Sequence, residues 1–153
     1  MNRLAIFDCD GTLVDSQHHI CEAMRECFAG AGLPPPGDER TRAVVGLSLV
    51  EAMGVLVPEA EAELHQALAD RYKSCIPAMR IRGLEEGPLY EGIAGLIGAL
   101  DGQGWLLGVA TGKSDRGLKL CLDHHGLAAR FVTLQTADRH PSKPHPAMLE
   151  QAI

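Results

Sequence analysis

One stretch near the start of the chain decides its fold: Phe7-Asp8-Cys9-Asp10-Gly11-Thr12-Leu13-Val14-Asp15-Ser16. The apolar run at residues 4–7 leads into it. An apolar run that ends at an acidic cluster predicts a buried parallel strand with polar chemistry at its carboxyl end. Asp8 and Asp10 are therefore the first candidate functional residues.

The rest of the chain alternates between helical and strand-like patterns. Residues 15–85 carry apolar side chains at helical spacing, which predicts a small module of helices. Trp105 to Ala110 and Phe131 to Leu134 predict two further buried strands separated by a helix. We therefore expect an α/β fold: residues 1–14 and 86–153 form a Rossmann-like core with a parallel sheet, and residues 15–85 are inserted into it.

Two helix starts inside the insert carry local signals. Ser48 is followed by Glu51 three residues later, which predicts an N-cap with a capping box. Pro58 is followed by several glutamates, and proline and acidic residues favour the first turn of a helix. We therefore expect helices to begin at these two positions.

Composition excludes several classes of protein. The chain has 153 residues, a formal net charge of −6 and 46% hydrophobic residues. The acidic balance argues against a nucleic-acid partner. No apolar run is long enough to span a bilayer, so we expect no membrane partner and a cytoplasmic protein. The five cysteines are an odd number without a Cys-x-x-Cys pair, which argues against a disulfide framework or a zinc site.

Three polar clusters follow the three predicted strands. Asp8 and Asp10 follow the first, Thr111 and Gly112 the second, and Lys143 comes after the third. The carboxyl ends of parallel strands share one edge of the sheet, where ligands bind. These side chains are therefore expected to meet in space.

The two aspartates suit phosphoryl transfer. Asp8 can act as a carboxylate nucleophile that forms an aspartyl phosphate. Asp10, two residues on, can protonate the leaving oxygen and later deprotonate water. A carboxylate facing a phosphate dianion needs a cation, and Mg²⁺ prefers oxygen ligands of this kind.

The remaining polar residues suit the binding of a phosphoryl group. Gly11 allows a tight turn after the aspartates. Thr111 offers a hydroxyl donor, and the amides of Gly112 and Lys113 are expected at a helix start, where anions bind. Lys143 supplies a positive charge for the nucleophile and the phosphoryl oxygens.

Each cluster alone is a weak signal, because acidic pairs are common at strand ends. The competing interpretation is a nucleotide-binding or receiver-type α/β domain with acidic turns. The order of the clusters, each after a strand and with a helical insert after the first, favours phosphoryl transfer instead.

The clusters resemble the motifs of the haloacid dehalogenase (HAD) superfamily. Residues 7–16 resemble its motif I, Ala110-Thr111-Gly112-Lys113-Ser114 its motif II and Ser142-Lys143-Pro144-His145-Pro146 its motif III. The insert resembles the helical C1 cap of the subfamily that includes phosphoglycolate phosphatases. The resemblance implies that the cap selects the substrate, with Gly46, Leu47 and Ser48 as the specificity loop.

The resemblance implies a phosphatase for a small phosphorylated metabolite, with phosphoglycolate as the best single expectation. Dehalogenases of the superfamily lack an aspartate at the position of Asp10. β-Phosphoglucomutases share the cap and both aspartates but usually carry a bulkier residue in place of Thr12. A mutase and a binding module without catalysis remain the alternatives.

The resemblance also implies a further acidic motif, after another strand, that completes the Mg²⁺ site. No such segment follows residues 142–146 in this sequence. We therefore expect Asp8 and the main-chain oxygen of Asp10 as the protein ligands, and an open sheet edge beside the first strand. The expectation is a truncated chain, a proteolytic remnant or a half that a partner or a missing C-terminal segment completes, with weak Mg²⁺ binding and little activity for these 153 residues alone. A homodimer is a separate expectation.

Overall fold

A computed structural model describes residues 3–82 and 87–153, and its centre is a three-stranded parallel sheet. The strands are β1 (Arg3–Phe7), β2 (Trp105–Thr111) and β3 (Thr133–Thr136), in the order β1-β2-β3. β1 and β3 both pair with β2 in parallel. The carboxyl ends of all three strands therefore lie along one edge, as the sequence predicts.

Helices alternate with these strands and confirm the predicted α/β class. They are α5 (Ile93–Gly102), α6 (Asp115–His124) and α7 (Ala147–Ala152), with a 3₁₀ turn at Ala128–Arg130. α5 packs on β2, and α7 packs on β2 and β3. A parallel sheet needs such crossovers, because its strands run in the same direction.

Among the residues that the structure describes, four consecutive helices separate β1 from α5. These cap helices are α1 (Gln17–Gly30), α2 (Asp38–Ala43), α3 (Leu49–Leu56) and α4 (Ala62–Ile81). α4 packs against both α1 and α3. Of the helices in the described ranges, not one has the length and hydropathy that crossing a membrane requires.

Most of the buried apolar side chains in the described ranges belong to one of two separate clusters. One lies among the cap helices and includes Met24, Met53 and Leu68. The other lies on the sheet and includes Leu107 and Val109. The predicted boundary near residue 85 stays a prediction, because residues 83–86 lie outside the described residues.

The third strand begins two residues later than predicted. Phe131 follows the 3₁₀ turn and is buried in the sheet cluster, with its ring 6.4 Å from that of Phe7. Val132 is two-thirds exposed, and β3 begins only at Thr133. An apolar pair of this kind suits a strand and a buried corner equally well, so the local pattern misplaced the boundary.

Of the two predicted helix starts in the cap, the first is confirmed in position and the second is wrong. α3 does begin after Ser48, but the Ser48 side chain makes no capping hydrogen bond. α4 begins at Ala62 rather than at Pro58, and residues 57–60 form turns and bends instead. The backbone amide of Ala60 donates to the carbonyl of Val57, which closes a turn before the helix.

Candidate active site

Asp8 follows β1 directly and holds two close partners. Its Oδ1 accepts a hydrogen bond of 2.7 Å from the amide of Cys9, and its Oδ2 lies 2.6 Å from Nζ of Lys143. Lys143 comes from the loop between β3 and α7. The predicted nucleophile and the predicted lysine therefore meet, although they lie at opposite ends of the sequence.

Asp10 is held by two donors on the same oxygen. Its Oδ1 accepts a hydrogen bond of 2.6 Å from Oγ of Ser16 and lies 3.2 Å from Nζ of Lys113. Ser16 is buried, and the side chains of Lys113 and Asp10 are 18% and 14% exposed. Both donors contact Oδ1, so they fix the carboxyl group and leave Oδ2 outside these two contacts.

A tight turn after β1 sets the positions of both aspartates. The amides of Leu13 and Val14 donate to the carbonyl of Cys9, and Gly11 turns the chain with a φ of 77°. A positive φ of this size favours glycine. Cys9 itself is fully buried, with its sulfur 3.6 Å from that of Cys121, so the turn is anchored between the two acidic residues.

Thr111 and its neighbours lie beside the aspartates but are arranged differently from the expectation. Thr111 is buried at the end of β2, and its Oγ1 accepts a hydrogen bond of 3.2 Å from the amide of Lys113. α6 begins at Asp115, with Ser114 as its N-cap accepting from Gly117. The expected helix start at Gly112 and Lys113 was therefore wrong, because these residues precede the helix.

The predicted specificity loop lies directly over these residues. Gly46 has a φ of 98°, and a Cβ at this position would lie 3.5 Å from Oδ2 of Asp8. A Cβ on Gly112 would lie 2.4 Å from the carbonyl oxygen of Leu47. The amide of Ser48 donates to Oγ of Ser142 over 2.9 Å. Gly46, Leu47 and Ser48 thus contact all three motif regions.

A cavity of about 460 Å³ separates the cap helices from α6 and the turn after β1. Asp10 and Lys113 line it on one side, and residues of α1, α3 and α4 line it on the other. Asp8, Thr111 and Lys143 are not among its lining residues. The predicted acid–base residue therefore lines the cavity, whereas the predicted nucleophile does not.

Comparison of the sequence with known protein families identifies one family in which these motifs occur. The family model of haloacid dehalogenase-like hydrolases matches residues 5–153. The chain belongs to this family. Motifs I, II and III all fall within the matched range.

Curated relatives of this HAD-like hydrolase include several phosphatases. The chain is 35% identical to "Probable phosphatase IndB" of Dickeya dadantii, over 97% of this chain and 65% of the relative. It is 31% identical to N-acetylmuramic acid 6-phosphate phosphatase of Pseudomonas aeruginosa, over 96% and 65%. It is 30% identical to a phosphoglycolate phosphatase of Rhodospirillum rubrum, over 100% and 66%. The chain therefore spans about two-thirds of the length of these relatives.

A solved structure supports the fold independently. A haloacid dehalogenase-like hydrolase from Bacteroides fragilis superposes with a TM-score of 0.88 at 22% sequence identity. The match covers 100% of this chain and 72% of that one. At this identity the likeness shows that the two chains share a fold.

The donors available for Mg²⁺ in this HAD-like hydrolase are few. Within residues 3–82 and 87–153, no group of three His, Cys, Asp or Glu side chains is arranged to hold a metal ion. Mg²⁺ commonly binds through one or two carboxylates, substrate phosphate oxygens and water. Asp8 and the main-chain oxygen of Asp10 fit a site of that kind, in which substrate and water supply the other ligands.

Sequence reasoning missed three residues around the aspartates. Ser16 lies inside motif I, but nothing in the pattern indicates that its hydroxyl binds Asp10. His19 and Tyr72 line the cavity from α1 and α4. Burial raises the pKa of the Tyr72 hydroxyl, so this group stays protonated at neutral pH. Their positions depend on helix packing, which leaves no local signal.

Proposed function

We propose that this HAD-like hydrolase is a phosphatase that hydrolyses a small organic phosphomonoester through an aspartyl phosphate on Asp8. The observation that supports this best is the pairing of Asp8 Oδ2 with Lys143 at 2.6 Å. It places a lysine at the nucleophile, where charge builds up during transfer. Asp10, fixed by Ser16 and Lys113, supplies the second carboxyl group that the chemistry needs.

The reaction has two steps that use the same two carboxyl groups. First, an oxygen of Asp8 bonds to phosphorus, and the bond from phosphorus to the alcohol oxygen breaks. Asp10 gives its proton to that oxygen, and the alcohol leaves. Second, Asp10 takes a proton from water, which bonds to phosphorus, and the bond from phosphorus to Asp8 breaks. Inorganic phosphate then leaves and both carboxyl groups are restored.

The phosphoryl group carries negative charge throughout both steps. Lys143 stabilises this charge, and Thr111 contributes its hydroxyl at the end of β2. Gly112 and Lys113 are proposed to contribute backbone amides beside it, although the Lys113 amide donates to Oγ1 of Thr111 over 3.2 Å in this structure. The contribution proposed for Mg²⁺, held by Asp8 and the main-chain oxygen of Asp10, is to offset the repulsion between the nucleophile and the phosphate.

Phosphoglycolate is the specific substrate that the motifs and the names of three relatives support. The relative named for N-acetylmuramic acid 6-phosphate has a similar identity and supports a larger alcohol. Identities near 30% do not separate these two kinds of substrate. Both belong to the class of phosphomonoesters and use the same proposed chemistry.

Replacing the nucleophile tests the mechanism. Asp8→Asn removes the charged oxygen that attacks phosphorus, so hydrolysis of p-nitrophenyl phosphate with Mg²⁺ should fall by at least about 10³-fold. Asp101→Asn is the matched control, because Asp101 pairs with Arg130 on the surface. Acid quenching with a radiolabelled substrate should trap label on the wild-type protein and none on Asp8→Asn.

Other outcomes point to other functions. Unchanged hydrolysis by Asp8→Asn would show that a different group attacks phosphorus. A requirement for a bisphosphate activator, with an isomeric phosphate as the product, would identify a mutase. Binding of phosphomonoesters without turnover by the wild-type protein would favour a binding module.

A further inference from the structure

A hydrogen bond joins the predicted specificity loop of the cap to the loop that carries Lys143. The amide of Ser48 donates to Oγ of Ser142 over 2.9 Å, and both residues are half-buried. Ser48 is the N-cap of α3, whereas Ser142 lies between β3 and α7. The bond therefore connects the cap to the sheet core between residues that are 94 positions apart in the sequence.

This bond replaces the one that the sequence predicts for the same amide. In a capping box, the side chain of the third residue after the N-cap accepts a hydrogen bond from the N-cap amide. Glu51 holds that position, but it is exposed, and the Ser48 amide donates to Ser142 instead. A residue of the core therefore completes the start of a cap helix, so the bond forms only while the cap loop lies on the core.

The backbone around Lys143 is fixed by the same serine. The carbonyl of Ser142 accepts a hydrogen bond of 3.1 Å from the amide of His145, which closes a turn around Lys143 and Pro144. The side chain of Lys143 then reaches Oδ2 of Asp8 at 2.6 Å. Because this side chain is long and 30% exposed, the position of the turn strongly influences where Nζ lies.

The specificity loop also comes close to the proposed nucleophile. A Cβ on Gly46 would lie 3.5 Å from Oδ2 of Asp8, the same oxygen that Lys143 contacts. Ser48 follows Gly46 by two residues. A loop that moves away from the nucleophile therefore also draws the Ser48 amide away from Ser142.

We infer that Ser142 is a positioning residue that couples the specificity loop to Lys143. When the loop covers the nucleophile, the Ser142 hydroxyl accepts from the Ser48 amide, and the turn holds the lysine in place. When the loop lifts, the bond is lost and the lysine is released, so the site is fully assembled only with the loop closed. This inference rests on the proposed phosphatase function, because it assigns the lysine a part in that reaction.

Removal of the hydroxyl tests the effect on the reaction. Ser142→Ala deletes the acceptor, so kcat for p-nitrophenyl phosphate with Mg²⁺ should fall by about three- to tenfold, as expected for one hydrogen bond. KM should change by less than about twofold, because the serine acts on the lysine rather than on substrate affinity. Ser74→Ala is the matched control, since Ser74 donates to the carbonyl of Asp70 on an exposed face of α4. Unchanged kinetics in Ser142→Ala, or a higher KM with an unchanged kcat, would overturn the inference.

A double-variant cycle tests whether Ser142 acts through Lys143. Lys143→Met removes the charge that the serine is inferred to position. Adding Ser142→Ala to this variant should therefore lower kcat further by less than about twofold. An equal loss in both backgrounds would show that the serine supports the reaction by another route, and would overturn the inference.

NMR spectra test the coupling without any turnover. Gly112→Ala displaces the specificity loop, so it should shift the amide resonances of Lys143 and His145 and speed hydrogen exchange at the Ser48 amide. The same substitution made in Ser142→Ala should leave those two resonances where they are, because the link is already broken. Coupled shifts support the inference even if the wild-type protein hydrolyses no phosphate. Faster Ser48 exchange without the shifts would overturn it and leave the phosphatase function intact.

Discussion

Nζ of Lys113 lies 3.2 Å from Oδ1 of Asp10. The contact joins the residue after Thr111-Gly112 to the second acidic residue of motif I. The same oxygen accepts from Ser16, so two motifs fix one carboxyl group. We therefore expect Lys113 to act as a positioning residue for the proposed acid–base group, in addition to the backbone role that the sequence predicts.

Lys113→Met should reduce kcat for an alkyl phosphate by roughly 10- to 100-fold, less than the roughly 10²–10⁴-fold that general acid–base catalysis contributes. Asp10 would keep its hydrogen bond to Ser16 but lose its cationic partner. The loss should be much smaller with p-nitrophenyl phosphate, whose leaving group needs little protonation. Lys119→Met, which breaks a surface pair with Asp123, should leave both rates unchanged. Equal losses on both substrates would contradict a positioning role.

Gly112→Ala should impair closure of the loop at Gly46, Leu47 and Ser48. The new Cβ would lie 2.4 Å from the carbonyl oxygen of Leu47 and 2.6 Å from that of Gly46, so the loop must move away. We expect kcat/KM to fall by about tenfold, because a small misplacement of catalytic parts is costly. Hydrogen exchange should speed up at the Ser48 amide, which now donates to Ser142.

The control for this prediction is Gly98→Ala. Gly98 lies within α5, and a Cβ there meets nothing within 4 Å. Alanine in a helix is favoured over glycine by about 0.5–1 kcal/mol, so this variant should be slightly more stable and fully active. Normal kinetics and normal Ser48 exchange in Gly112→Ala would show that the loop does not close on motif II.

The sequence predicted the sheet and its catalytic edge because those signals are local. Buried parallel strands have continuous apolar sequences, which identify them. Asp8 follows the end of β1, and Thr111 is the last residue of β2. Parallel topology then brings their side chains together without any further information. The pairing of Lys143 with Asp8 agrees with this reasoning.

The sequence could not predict contacts that depend on how the cap helices pack. His19 and Tyr72 carry no local sign that they face a cavity, since helical periodicity identifies an apolar face but not its neighbour. Pro58 shows a second limit of prediction from sequence. Proline is as common in a turn as in the first turn of a helix, so the residue alone does not distinguish the two. At residues 57–60 the turn formed instead.

Gly108→Ala should destabilise the sheet by about 1–3 kcal/mol, the usual cost of overpacking a core. Gly108 is buried in β2, and a Cβ there would lie 2.7 Å from Cγ2 of Thr133 on β3. Thr133→Ser removes that methyl group, so the double variant should recover much of the loss. Urea unfolding of the four proteins gives the coupling energy. Additive losses would mean that another contact, such as Ile6, limits the space.

Cys27 should make unfolding depend on pH in the alkaline range. Burial among the cap helices raises the pKa of its thiol from 9.0 to about 11, and Sγ lies 3.3 Å from the carbonyl oxygen of Leu68 as a donor. Between these two pKa values the folded state keeps a proton that the unfolded state has lost. The folded state then binds more protons, so the free energy of unfolding falls as the pH rises through this window.

Cys27→Ala removes this titration, so its stability should decline less steeply with pH above about 9 than that of the wild-type protein. The two curves should run parallel at lower pH, offset by the cost of the smaller side chain. Urea unfolding below, within and above the window measures both. Burial also raises the pKa of Cys21, Cys75 and Tyr72, but these groups are present in both proteins, so most of their contribution cancels in the comparison. Parallel curves throughout would show that the Cys27 thiol titrates alike in the folded and unfolded states.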